Sequence, residues 1–357
     1  MGKIRKLERF KRYKRYKGNK RNKRNNRNEK IFIITLLIVF MTIVYYPNKN
    51  SVVEKNKLNL DIIIPLGKKH ASSFNAKIKF YKKYLNYTNL IILSQSDSFE
   101  LIEKDNSIKF INENTLISKE AINKFLQAER SVNIIRDYWY EQQFLKMAYS
   151  RICKNEYYLI WDADTIPIKS IPLFENDHPF FDMKTEHHIP YFQAMERLLP
   201  NLKLSDMSYI SEHQIIKTEY MKNLLDEIEN NSKLKGKFFW EKILMAINLN
   251  DLNYSGFSEY ETYGTFVDTR YPNFYNHRKW FSFRYGTNFF NNASNLNEND
   301  IIWLSKDFHA ISFEKWDICK FNEQNLDIVK NSSLQKKYTP NIFFDNFNLI
   351  LSEYKKN

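Results

Sequence analysis

The sequence predicts an α/β fold: a mostly parallel sheet with helices on its faces, a more helical second half, and a single transmembrane helix ahead of both. Three observations carry this. Short apolar runs alternate with stretches of helical spacing through the first half of the chain. One such run, Tyr157-Tyr158-Leu159-Ile160-Trp161, goes straight into two carboxylates, Asp162 and Asp164. A sixteen-residue apolar run, 31–46, follows a strongly basic leader.

Residues 1–30 hold fifteen Lys and Arg against Glu8 and Glu29, which is +13 of the chain's formal +14. The remainder is near neutral, so a basic surface for nucleic acid would have to lie on the leader alone, and no nucleic-acid partner is expected. A helix over 31–46 spans about 24 Å, somewhat short of a typical hydrocarbon core. Lys30 snorkels at one end, and Tyr45 and Tyr46 suit the interface at the other. The absence of a small-residue cleavage site argues for an uncleaved anchor. Positive charge before the anchor keeps the N-terminus cytoplasmic and puts the rest in a lumen or outside the cell. The expected organisation is a basic tail (1–30), a membrane anchor (31–46), a stem (47–59), a catalytic domain (60–320) and a C-terminal extension (321–357).

The elements follow in order. Leu60-Asp61-Ile62-Ile63-Ile64-Pro65 reads as a first core strand ended by proline. A helix is predicted over 71–85, from Phe74, Ile78, Tyr81 and Leu85 on one face. Strands follow at 90–93 and 108–111, then helices at 118–128 and 137–149. After the 157–161 strand, a short strand is expected at 180–183, helices at 190–199, 213–229 and 237–248, a loop over the Asn-rich 286–300, and a late strand at 307–313. Cys153 and Cys319 are the only cysteines and fit no zinc pattern.

Ligands of open α/β sheets bind beyond the carboxyl ends of the strands. On extended backbone, Asp162 and Asp164 point the same way. Paired carboxylates there suit a hard divalent cation, Mn²⁺ or Mg²⁺, with coordination sites left for phosphate oxygens.

Three motifs occur in order: Trp139-Tyr140-Glu141-Gln142-Gln143, then Asp162-Ala163-Asp164-Thr165, then Ser258-Glu259-Tyr260-Glu261-Thr262-Tyr263-Gly264. With these, residues 60–320 resemble the A-type nucleotide-sugar glycosyltransferases, and more narrowly an uncharacterised glycosyltransferase-like family. The resemblance implies a Rossmann-like catalytic domain that moves a sugar from a nucleotide-sugar to a glycan, protein or lipid acceptor. It implies Asp162, Asp164 and His309 as metal ligands. It also implies that Pro65, Asp97, Arg136, Asp162 and Lys315 contact the nucleotide-sugar, and that Glu259, or failing it Glu212, serves as catalytic base. Ser258 and Glu261 read as a capping box, and Gly256 and Gly264 as places where backbone approaches sugar.

Two other classes fit parts of the pattern. One is a catalytically inactive, membrane-tethered sugar-binding protein on the same fold. The other is a phosphatase of the haloacid dehalogenase type, whose D-x-D-x-T threonine position is occupied here by Ile166.

Overall fold

A five-stranded sheet forms the frame of this computed structural model, which describes residues 59–314 and 323–355. The basic tail, the anchor at 31–46 and the stem up to Leu58 lie outside the described residues, as do Lys315 and Cys319. Among the described residues, no helix is long and apolar enough to cross a membrane.

Strand β1 (Asp61–Pro65) lies between β2 (Asn89–Ser94) and β4 (Tyr157–Trp161), and β3 (Ile108–Asn112) pairs outside β2, all parallel. Strand β8 (His213–Lys217) pairs antiparallel with β4 and gives the order β3-β2-β1-β4-β8. β1 and β4 are buried along their whole length, which is why both read as unbroken apolar runs and not as alternating ones. The chain builds outward from β1 to β3 and then crosses back to β4. The strand order therefore reverses between β1 and β4, the place where such sheets open a crevice.

Helix α1 (Ala71–Tyr84), α2 (Lys119–Arg130) and α3 (Asp137–Ala148) follow the expected spacing to within two residues at each end. The expected helix over 213–229 is instead two elements. His213–Lys217 is a strand, and only Thr218–Glu229 (α4) is helical. Ile215 and Ile216 serve the strand, because pairing to β4 outweighs the helical spacing they share with Tyr220 and Leu224. The Asn-rich stretch is not a loop throughout. It forms short helices at Gly286–Phe290 and Glu298–Leu304, the second begun by a capping box of Asn297 and Asp300.

Two hydrophobic cores result. The larger surrounds the main sheet and includes Tyr81, Tyr158 and Trp161. The smaller gathers Ile166, Phe290, Trp303 and Ile311 with Phe343 and Ile350 from the C-terminal helices. A small sheet joins the two along the chain: β5 (Thr165–Pro167) leaves β4 and pairs antiparallel with β11 (Ala310–Ser312). Ile166, at the position a dehalogenase-type phosphatase gives to threonine, is a fully buried member of the smaller core.

Candidate active site

The ends of β1 and β4 open into a cavity of about 1250 Å³. Its lining includes Pro65, Arg136, Asp162, Asp164, Glu212 and Glu259, so six of the residues singled out in the sequence converge. The volume exceeds that of an ordinary single-ligand pocket.

Local structure explains the convergence. Because β8 runs antiparallel to β4, Trp161 faces His213, and the residue before the strand, Glu212, lies beside the residue after β4, Asp162. The Asp162 amide donates to the Glu212 carbonyl at 2.9 Å. Glu212 adopts a left-handed backbone (φ 61°), uncommon for a residue with a Cβ. On the other side, Ser312 pairs with Thr165, their hydroxyls lie 2.6 Å apart, and the Phe313 amide donates to the Asp164 carbonyl at 2.9 Å. This brings Glu314 to the cavity.

Lys146, near the end of α3, is the residue the sequence reading missed. Its side chain is only 3% exposed, and its ammonium donates to Asp162, to Glu259 at 2.7 Å and to the Tyr260 hydroxyl at 3.2 Å. Burial alone would lower its pKa, but the adjoining charges of Asp162 and Glu259 outweigh burial and hold it above the usual lysine value. The Tyr260 hydroxyl in turn donates to Asp162 at 2.9 Å. The only hint in the sequence was a lysine set within the apolar run Phe144-Leu145-Lys146-Met147-Ala148.

Asp164 is placed differently. Its carboxylate accepts from the Thr165 hydroxyl at 3.2 Å. Burial, and then the neighbouring charge of Asp162, raise its pKa. A cation is the natural relief for such a group. Among the described residues, no cluster of three or more His, Cys, Asp or Glu is arranged to hold a metal ion by itself. Asp162 and Asp164 offer carboxylate oxygens, the donor type that a hard divalent ion takes.

Glu259 opens the helix Glu259–Arg270. Its amide donates to the Gln143 side chain at 3.1 Å, which ties the first motif to the third. Burial, and further the charge of Asp162, raise the Glu259 pKa against the opposing pull of Lys146. The expected capping box is half formed. Ser258 accepts from the Glu261 amide at 3.3 Å, but the Glu261 carboxylate turns away to Ser208 (2.8 Å) and the Tyr209 amide (3.1 Å). The two glycines serve packing and not a sugar. A Cβ on Gly264 would stand 2.1 Å from the Tyr209 ring, and one on Gly256 would stand 2.4 Å from Ile247.

Glu212 is held on both oxygens. One accepts from Lys184, the other from Trp280 Nε1 (3.0 Å) and Ser282 (2.9 Å). Nearby, Arg284 forks onto Glu314 at 2.8 and 3.0 Å and reaches Glu186 at 2.9 Å. Burial raises the Glu314 pKa to about 7, with Arg284 opposing. No sequence pattern marked Glu186, Arg284 or Glu314.

Two expected site residues are not brought together with the rest. His309 lies outside the cavity lining. Its ring stacks on Trp280 with centroids 4.9 Å apart, because its amide, just before the late strand, donates to the Phe281 carbonyl at 2.8 Å and sets it beside Trp280. Asp97 sits on an exposed turn after β2 and pairs with Lys68 at 2.5 Å. Lys315 is outside the described residues. Arg136 lines the cavity while donating to the Tyr254 carbonyl at 2.7 Å. His213 is neither a cap nor a cavity residue: it is buried in β8 and bonded to Asp182 at 3.0 Å.

Comparison with known proteins places the chain. Residues 73–330 match the model of DUF6492, a family of unknown function, and the chain belongs to that family. No curated protein matches it. Similar solved structures include the galactosyltransferase LgtC with donor and acceptor sugar analogues. That match has 11% identity, covers 79% of this chain and 96% of that one, and has a TM-score of 0.36. Mouse xyloside xylosyltransferase 1 matches at 10% identity, 71% and 96% coverage and a TM-score of 0.36. The mannosyltransferase Ktr4p of S. cerevisiae with GDP matches at 13%, 56% and 68% coverage and a TM-score of 0.34. All three are glycosyltransferases, but at these scores the likeness carries no argument about chemistry. That must come from the site.

Proposed function

With membership of that family as the premise, we propose that this protein is a nucleotide-sugar glycosyltransferase dependent on a divalent cation and tethered to a membrane by residues 31–46. One observation carries the reading: Asp162 and Asp164 stand at the end of β4, where the strand order reverses, at the mouth of a cavity large enough for a donor and an acceptor together. The motif resemblance supports it independently.

Asp164 would hold the cation, which when bound would supply Lewis-acid neutralisation of the diphosphate. Asp162, fixed by Lys146 and Tyr260, orients the donor. In the transfer, an acceptor oxygen forms a bond to the anomeric carbon and the bond from that carbon to the diphosphate oxygen breaks. The diphosphate keeps the electron pair, and the acceptor's hydroxyl proton passes to a carboxylate. Glu259 is the better candidate for that base, because both oxygens of Glu212 are already engaged. Arg136 at the cavity wall suits a phosphate oxygen.

The test is turnover of a nucleotide-sugar panel and of simple phosphomonoesters, each with and without Mn²⁺. The expected result is cation-dependent release of nucleoside diphosphate from one donor. Turnover of phosphomonoesters alone would overturn the reading. Binding of a nucleotide-sugar without turnover would favour a tethered binding protein.

A further inference from the structure

A second hollow of about 570 Å³ lies at the C-terminal end of the helix Phe239–Ala246. It is lined by Arg130, Arg197 and residues 245–251. Both arginines use one amino group to cap the helix. Arg130 Nη1 donates to the carbonyls of Leu244 (2.6 Å) and Ile247 (2.7 Å), and Arg197 Nη1 donates to that of Ala246 (2.5 Å). Capping of this kind satisfies orphan carbonyls and suits the helix dipole. Both arginines line the hollow, and neither has a carboxylate partner among the described residues. Asp251 is the one acid in the lining, and it accepts from Asn248 Nδ2 at 3.0 Å. Two cations against one carboxylate leave a positive excess. Burial, and then the charge of Arg197, depress the Arg130 pKa, so the two guanidinium groups repel each other.

The hollow is close to the active cavity along the chain. Asp251 lines the hollow and Ser255 lines the cavity. Four extended residues span at most about 14 Å. The stretch between them is fixed at both sides: Asn253 accepts from the Ile135 amide at 2.8 Å, and the Tyr254 carbonyl accepts from Arg136.

We propose that this hollow is an oxyanion site, in which Arg130 and Arg197 bind a phosphate or carboxylate carried by the acceptor while the acceptor's reacting end lies in the cavity. The acceptor class is therefore an acidic oligosaccharide or a phosphorylated glycan. Planar guanidinium forks match either anion.

Anion binding itself is tested without any donor, so its failure is distinct from failure of the glycosyl-transfer reading. The full chain is titrated calorimetrically with inorganic phosphate, alongside Arg197→Gln, Arg197→Lys and the exposed Lys203→Gln. Loss of a charged hydrogen bond should weaken one phosphate site roughly 10- to 100-fold in Arg197→Gln. Lys203→Gln should keep that site. Superimposable wild-type and Arg197→Gln isotherms would overturn the proposal and leave both arginines as helix caps only. Should Arg197→Gln unfold, Arg197→Lys keeps a charge without the fork, and unweakened phosphate binding there would count equally against it. The acceptor arm alone rests on the transferase reading. With sugar phosphates, uronates and neutral oligosaccharides as acceptors, Arg197→Gln should raise KM for whichever acidic class is used and spare the neutral one. An equal change in KM across all three refutes the assignment to the acceptor.

Discussion

Two walls of the cavity solve one electrostatic problem in different ways. On the sheet side, one lysine serves two carboxylates, and both Lys146 and Glu259 are only 3% exposed. On the late-strand side, Arg284 is shared between Glu186 and Glu314 and lies 3.8 Å from Glu212, with 30% of its side chain exposed. On the first wall the Lys146–Glu259 pair is locked, because water has little access to either partner, and Asp162, 29% exposed, faces the cavity. The second is partly wet, so an incoming ligand can displace one carboxylate and take its donor. Fixed charges suit holding a reacting carboxylate in place, and exchangeable ones suit the admission of a ligand.

The contrast breaks most visibly at Lys146. Lys146→Met leaves the buried Glu259, and the partly exposed Asp162 beside it, without their cation, and should cost roughly 3–5 kcal/mol of stability. Denaturant unfolding measures this. Adding Glu259→Gln should recover part of the loss, whereas a strictly additive double variant would show that the pair is not coupled.

Asp164→Asn comes next. It should lower transfer roughly 100- to 1000-fold and abolish cation-dependent nucleotide binding, with the fold unchanged. Calorimetry of a nucleoside diphosphate with Mn²⁺ checks it, and unchanged affinity would remove Asp164 from the cation site.

Much of the sheet-side wall was legible in the sequence, and little of the other. β1, β4 and the carboxylates after Trp161 announce themselves, since strands buried on both faces must be apolar throughout. Lys146 was not legible, because a buried lysine in a helix looks like any surface lysine until the partner carboxylates come from elements 16 and 113 residues away. His213 was misplaced into a helix for a related reason. Its segment has helical spacing, but pairing with β4 decides its structure. Arg284 and Glu314 come from the late part of the chain, where strands shrink to two or three residues and carry no periodicity.

Arg284→Lys sharpens the comparison from the wet side. It keeps the charge but loses the fork onto Glu314, and should raise acceptor KM up to about tenfold while leaving unfolding nearly unchanged. A stability loss as large as that of Lys146→Met would erase the distinction between the walls.

The smallest effect is a pH dependence. Burial, and then the charge of Glu113, raise the Glu141 pKa from an ordinary 4.5 to about 7. The folded state therefore binds this proton more tightly than the unfolded state does, so stability falls as pH rises from about 4.5 through 7. Burial raises Glu261 to about 7 as well, with the same sign. Glu141→Gln should flatten part of the decline, by about 1 kcal/mol at pH 8 relative to pH 5. Parallel melting curves against pH for wild type and variant would refute it.

The pairing of Thr165 with Ser312 also sets a schedule for biosynthesis. These residues are 147 positions apart, and the Phe313 amide that holds the Asp164 backbone follows directly. At ordinary elongation rates, roughly 7–30 s separate their synthesis. The main sheet is complete once β8 has emerged, yet the carboxylates lack their closing strand until nearly the whole chain exists. A nascent chain stalled before residue 310 should therefore carry a folded sheet and an unfinished cavity, and would gain activity only as its last segment leaves the ribosome.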